Sequence, residues 1–165
     1  VLKAEISQVP VLDEVANILE INFDRFLEIQ EPYLTTTQIL ELQKQGFTIG
    51  AHSFNHPEFW KISEEEQISQ IRKSMEWINK TINPDIKTFA FPFTDFGVPL
   101  SVLETIKNEN ICDITFGNAG VKYDSFPGNF QRFTIEMPGD FVQNMKAEFV
   151  YFYLRKWIGK ATVKH

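Results

Sequence analysis

Cysteine is almost missing from this chain of 165 residues: Cys112 stands alone, so no disulfide can close within it, and the redox compartment is left open. Long apolar runs are missing too. None approaches the roughly 20 residues that span a bilayer, and Val1 to Pro10 lacks the layout of a secretory signal, which predicts a soluble domain with no membrane span. Basic clusters are absent as well. Sixteen Lys and Arg face 22 Asp and Glu for a net charge of −6, and no stretch carries enough positive charge to track a phosphate backbone. Nucleic acid is therefore excluded as an expected partner. Internal repeats, low-complexity tracts and linkers are also lacking. The chain opens on Val1 rather than on a methionine, so its terminus does not indicate a compartment.

What is present is apolar and aromatic. Hydrophobic residues make up 43% and aromatic residues 14%, with sixteen phenylalanines, and the length suffices for one compact domain with a real core. Cys112 reads as a small buried residue of an apolar strand.

Apolar positions at Leu12, Val15, Ile18, Leu19, Phe23, Phe26 and Leu27 have helical spacing with a break near Asn22, so residues 1–33 read as a helical insertion or lead-in. Thr35 and Gln38 form a capping box for a further helix that Gly46 ends. Phe47 to Ala51 reads as a short buried strand with His52 at its C-terminal end. Ser63 and Glu66 cap a helix that carries Ile68, Ile71, Met75 and Ile78 on one face, with three glutamates in its first turn. Thr88 to Phe93 is a second apolar run, Pro99 to Asn108 a helix, and Cys112 to Phe116 a third strand. Gly117 to Asn129 reads as loop with room for a short strand. Arg132 to Glu136 reads as a last strand, and Pro138 opens a helix that reaches about Ile158. Alternation of helix and strand predicts an α/β fold with a mostly parallel sheet of few strands, as an incomplete or distorted (β/α) barrel.

Two of the three histidines lie in Gly50-Ala51-His52-Ser53-Phe54-Asn55-His56-Pro57. An i, i+4 pair in a tight turn can aim both imidazoles at one point, a spacing that suits a zinc-type ion, and strand C-termini are where α/β folds assemble sites. The plainer reading is two loop histidines bonded to backbone.

Leu34 to His56, with its helix, its Gln-Gly-Phe-Thr-Ile-Gly-Ala strand and its His-Ser-x-x-His ending, resembles the second signature of the polysaccharide deacetylases, carbohydrate esterase family 4. Thr88-Phe89-Ala90-Phe91-Pro92-Phe93 resembles the family segment ending in Pro-aromatic, one wall of its substrate groove. The resemblance implies a single deacetylase-like domain over residues 1–165 that uses a divalent metal, zinc being the expected ion. His52 and His56 would be metal ligands, the Phe93 backbone N–H an oxyanion donor, and Pro92 and Phe93 substrate-binding residues. The metal would activate water to remove N-acetyl or O-acetyl groups from an acetylated glycan.

Departures from the family pattern shape the rest of the expectation. The family's first signature, a strand ending in paired aspartates, is not found, so the domain reads as N-terminally incomplete and this chain alone as inactive. Ala90 stands where many members carry an arginine. The late histidine signature is missing, His165 being the remaining histidine. Asp95 is a candidate catalytic carboxylate just past the Pro-Phe turn, with a turn or cap role as the alternative. The unpaired edge left by the missing strand calls for a cover: a partner chain, such as a second copy in a homo-oligomer, or residues 1–29. Two other readings stand beside the enzyme. One is an inactive glycan-binding member of the fold. The other is a domain that docks a partner or membrane face through Phe149, Tyr151, Phe152, Tyr153 and Trp157, against which stands the expectation that aromatics all round a helix are buried.

Overall fold

A computed structural model describes residues 9–165, and these fall into two compact units that divide between Gly46 and Phe47. The first unit is helical. Helix α1 (Val9–Ile18) and helix α2 (Phe23–Gln30) flank the expected break, where the Asn22 side chain caps α2 by accepting from the Arg25 N–H at 2.8 Å. The Thr35 and Gln38 capping box starts helix α3 (Thr36–Lys44) as its sequence predicts. Ala16 is the one residue of these three helices that is buried, so their apolar faces stand exposed. The expected lead-in is helical from Val9 onward, and its first eight residues lie outside the described ones.

The second unit is mixed α/β with parallel strands. Helix α4 (Glu64–Thr81) is followed by β1 (Thr88–Ala90), helix α5 (Leu100–Asn108), β2 (Ile114–Gly117), β3 (Tyr123–Asp124), β4 (Asn129–Gln131), helix α6 (Phe141–Trp157) and β5 (Thr162–Val163). Strands β1, β2 and β4 form one parallel sheet in that order, and β3 pairs with β5 in a second parallel pair. The described strands form an open sheet and a separate pair rather than a closed barrel. Phe59, Phe89 and Phe91 fill the core, Phe91 standing edge-to-face to the other two at 5.4 and 5.1 Å, beside Ile71 and Met75 of α4 and Val102 and Leu103 of α5.

Three expectations need correction. Phe47 to Ala51 is not a full strand: Ala51 alone pairs, with Phe89, donating to Thr88 O and accepting from the Ala90 N–H at 2.9 Å each. In that parallel register Phe47 and Ile49 would face the turn after Pro84, which offers no ladder. The last strand lies at Asn129–Gln131 rather than 132–136, because its partner β2 ends at Gly117, opposite Gln131. The aromatics of α6 are not buried all round. Phe152 packs on Tyr123 at 5.3 Å, whereas Trp157 is 87% exposed and Phe149, Tyr151 and Tyr153 also face out, since a helix resting on a two-residue strand has one side to cover.

Candidate metal centre

The histidine turn begins where Ala51 locks onto β1. Gly50 is required there: a Cβ at this position would meet Thr88 Oγ1 at 2.2 Å and the Thr88 carbonyl oxygen at 2.8 Å, so any side chain would push the segment off the sheet. His52 then leaves the sheet edge with Nδ1 2.7 Å from Ala90 O. A carbonyl only accepts, so Nδ1 carries the proton and Nε2 keeps its lone pair. Partial burial lowers the His52 pKa from its ordinary value, the Ala90 bond opposes this, and His56 and Arg132 add to the lowering.

The chain then turns through two residues in left-handed backbone, Ser53 (φ 67°) and His56 (φ 54°). Ser53 Oγ accepts the His56 N–H at 2.9 Å. Gln70 of α4 holds the other side, its Oε1 accepting the N–H groups of Phe54 (3.1 Å) and Asn55 (2.8 Å). The outcome is a pair of imidazoles with Nε2 atoms 3.1 Å apart. Two nitrogens bound tetrahedrally to one zinc at about 2.0–2.1 Å stand about 3.4 Å apart, so the pair fits the donor spacing of such an ion. The same distance suits a single proton shared between the rings. Among the described residues, no carboxylate or thiol joins these two nitrogens to complete a set of three ligands.

Beside the pair, β1 runs into Phe91-Pro92-Phe93. Thr94 N–H closes a three-residue turn on Pro92 O at 2.6 Å, with Phe93 at its centre in left-handed backbone (φ 57°), the rarer and strained form of the γ-turn. The Phe93 N–H has no partner among the described residues. The Phe93 ring, half exposed, stands edge-on to His56 at 4.7 Å and to Trp60 at 6.1 Å. Pro92 lies under this turn, fully buried.

Position 90 contributes its carbonyl to His52, and the cation that the sequence places elsewhere reaches the same sheet edge. Arg132, just past β4, donates from Nε to Gly117 O and from Nη2 to Phe91 O, both at 2.9 Å, and its charge is felt at His52. Burial lowers the Arg132 pKa and Asp95 pulls it back up.

Asp95 lies in a different environment. It is 2% exposed and accepts from Asn129 Nδ2 at 3.0 Å and from Gln131 Nε2 at 2.5 Å. The same two amides donate to Asp124 Oδ2 at 2.9 and 2.8 Å, while His165 sets Nε2 3.1 Å from both Asp124 oxygens and Nδ1 3.1 Å from Val98 O. Asp95, Asp124 and His165 thus bring three ligand-type atoms within 4.8 Å of one another. Their facing oxygens already accept amide N–H groups. Thr115 Oγ1 on Asn129 Oδ1 (2.8 Å) and the Ala119 N–H on Gln131 Oε1 (2.7 Å) fix those amides nitrogen-first toward the carboxylates. No hydrogen bond links Asp95 to His52 or His56 among the described residues. A cavity of about 610 Å³ is walled partly by Asp95 and His165 and by neither of the paired histidines.

Gln70, Asn118, Arg132, Asp124 and His165 were not foreseen as parts of either cluster. Gln70 alone left a signal: with Gln67 and Ser74 it puts polar side chains on the buried face of α4, and such groups need partners.

The sequence profile of the polysaccharide deacetylases matches residues 22–109, just over half of the chain. The chain belongs to the polysaccharide deacetylase family. Hydrolysis of acetyl amide bonds is the chemistry that this family implies. No curated protein and no solved structure gives a significant match.

Proposed function

We propose that the chain acts on an acetylated glycan, removing N-acetyl or O-acetyl groups, with His52 and His56 holding a divalent ion, zinc being the best fit to the donor set. The observation that carries this is the pair of Nε2 atoms 3.1 Å apart, one of them oriented by a backbone carbonyl in the way ligating histidines are. When bound, such an ion supplies a Lewis acid and lowers the pKa of water. The chain's own contribution is positional. The unpartnered Phe93 N–H is available to the carbonyl oxygen of the acetyl group as negative charge develops there. The Phe93, Trp60 and His56 rings offer an apolar rim on which a sugar face can rest, and Pro92 fixes the turn beneath. Asp95 supports the buried network and not the acyl oxygen in this reading. With two neutral ligands and no anionic one among the described residues, zinc affinity is weak.

The test is acetate release from N-acetylchitooligosaccharides with added zinc, for the chain and for His56→Ala. Turnover that vanishes in the variant supports the proposal, and turnover equal in both refutes it. The missing third ligand favours a second reading, a member that binds glycan without hydrolysis. Its signature is saturable calorimetric binding of the same oligosaccharide with no acetate released.

A further inference from the structure

The Phe93 turn is held from both sides by side chains that follow distant strands. Before it, Arg132 Nη2 donates to Phe91 O; after it, Asn118 Nδ2 donates to Phe93 O at 2.8 Å. Asn118 is the first residue beyond β2, and its amide is itself oriented: with nitrogen facing an acceptor-only carbonyl, its Oδ1 faces Thr134, whose hydroxyl donates to it at 3.0 Å. We propose that Asn118 is a positioning residue, whose amide, aimed by Thr134, clamps the Phe93 carbonyl and so fixes the strained turn that leaves the Phe93 N–H free to serve as an oxyanion donor. This deepens the proposed deacetylase reading and rests on it for its functional part.

The physical need is plain. A phenylalanine at φ 57° relaxes toward negative φ unless its surroundings over-determine it. The closing bond from Thr94 lies within the turn and relaxes with it. Arg132 anchors the peptide preceding Pro92, which leaves the far side of Phe93 to Asn118. Without the Asn118 amide the Phe93 N–H loses its fixed direction, and a donor that must be reoriented during the reaction gives up much of its effect.

Zinc-loaded protein labelled with ¹⁵N-phenylalanine provides a readout independent of turnover. Asn118→Ala and Asn118→Asp, the latter isosteric but no longer a donor, are expected to shift or broaden the Phe93 amide resonance while the other phenylalanine amides, the melting temperature and the zinc content hold. Thr134→Ala should move the same resonance less. In kinetics, Asn118→Ala should lower kcat by at least tenfold with KM within about twofold, since complete loss of one oxyanion donor is worth about 10²–10³. The deficit should shrink on trifluoroacetylated substrate, whose oxyanion needs less help. An unmoved Phe93 resonance, or a loss confined to KM, overturns the proposal. Wild-type protein without turnover but with the expected shift removes the deacetylase reading and leaves the positioning claim standing.

Discussion

Two histidine clusters sit in the same unit and differ in what their polar atoms have left to give. His52 and His56 converge at the sheet edge with their Nε2 atoms facing one another and with exposed rings around them. Asp95, Asp124 and His165 converge more completely, three residues to two, yet their facing atoms are met by Asn129 and Gln131 amides and the whole group is buried. Ligand-type atoms brought close together therefore do not by themselves define a metal centre. Among the described residues, the first cluster's facing nitrogens have only each other to bond, a contact an ion can replace; the second has spent its acceptors on holding β3, β4 and β5 together.

The sharpest way to break this comparison is to titrate zinc into single variants. His56→Ala should lower zinc affinity about 100-fold or more, and Asp124→Asn should leave it within about threefold, because two of its neighbours are amide donors rather than empty space. The next effect is on stability and runs the opposite way. Asp95→Ala leaves two buried amide N–H groups without their acceptor and should cost about 2–4 kcal/mol in urea unfolding, whereas exposed His56→Ala should cost under about 1 kcal/mol.

Gln70→Ala addresses the support of the first cluster. It frees the Phe54 and Asn55 N–H groups and should weaken zinc by about tenfold and the fold by about 1 kcal/mol. The smallest expected effect is on pH dependence. Because the folded His52 pKa lies below its unfolded value, the unfolded chain takes up the proton first as pH falls, so this residue's contribution to stability is present above about 6.5 and is lost below it. Metal-free His52→Ala should show a shallower loss of stability between pH 7 and pH 5 than the wild type does; equal slopes would remove the assigned shift.

Local features were legible in the sequence and distant ones were not. The Thr35 and Ser63 caps are set by neighbours three residues away, and the His52 and His56 pair and the Pro92-Phe93 turn are visible as short motifs, although Ala90, Gln70, Asn118 and Arg132 hold them in place from a distance. The strand at Phe47 and the strand at Arg132 failed because strand formation needs a partner, and the partners β1 and β2 begin too late and end too early. The buried network joins Asp95 to Asn129 and His165 to Asn129 and Asp124 across 34–41 residues, which no short window contains. Arg132 shows the same blindness: Ala90 predicts a missing cation, and the structure brings a guanidinium to the Phe91 carbonyl from 41 residues away.

The most direct measurement is a crystal structure of the zinc-soaked protein with anomalous data at the zinc edge. One anomalous peak is expected between His52 and His56, about 2.0–2.1 Å from each Nε2, with the Asn129 and Gln131 amides still on Asp95 and Asp124. A peak at Asp124 and His165 with those amides displaced, and none at the paired histidines, would contradict it.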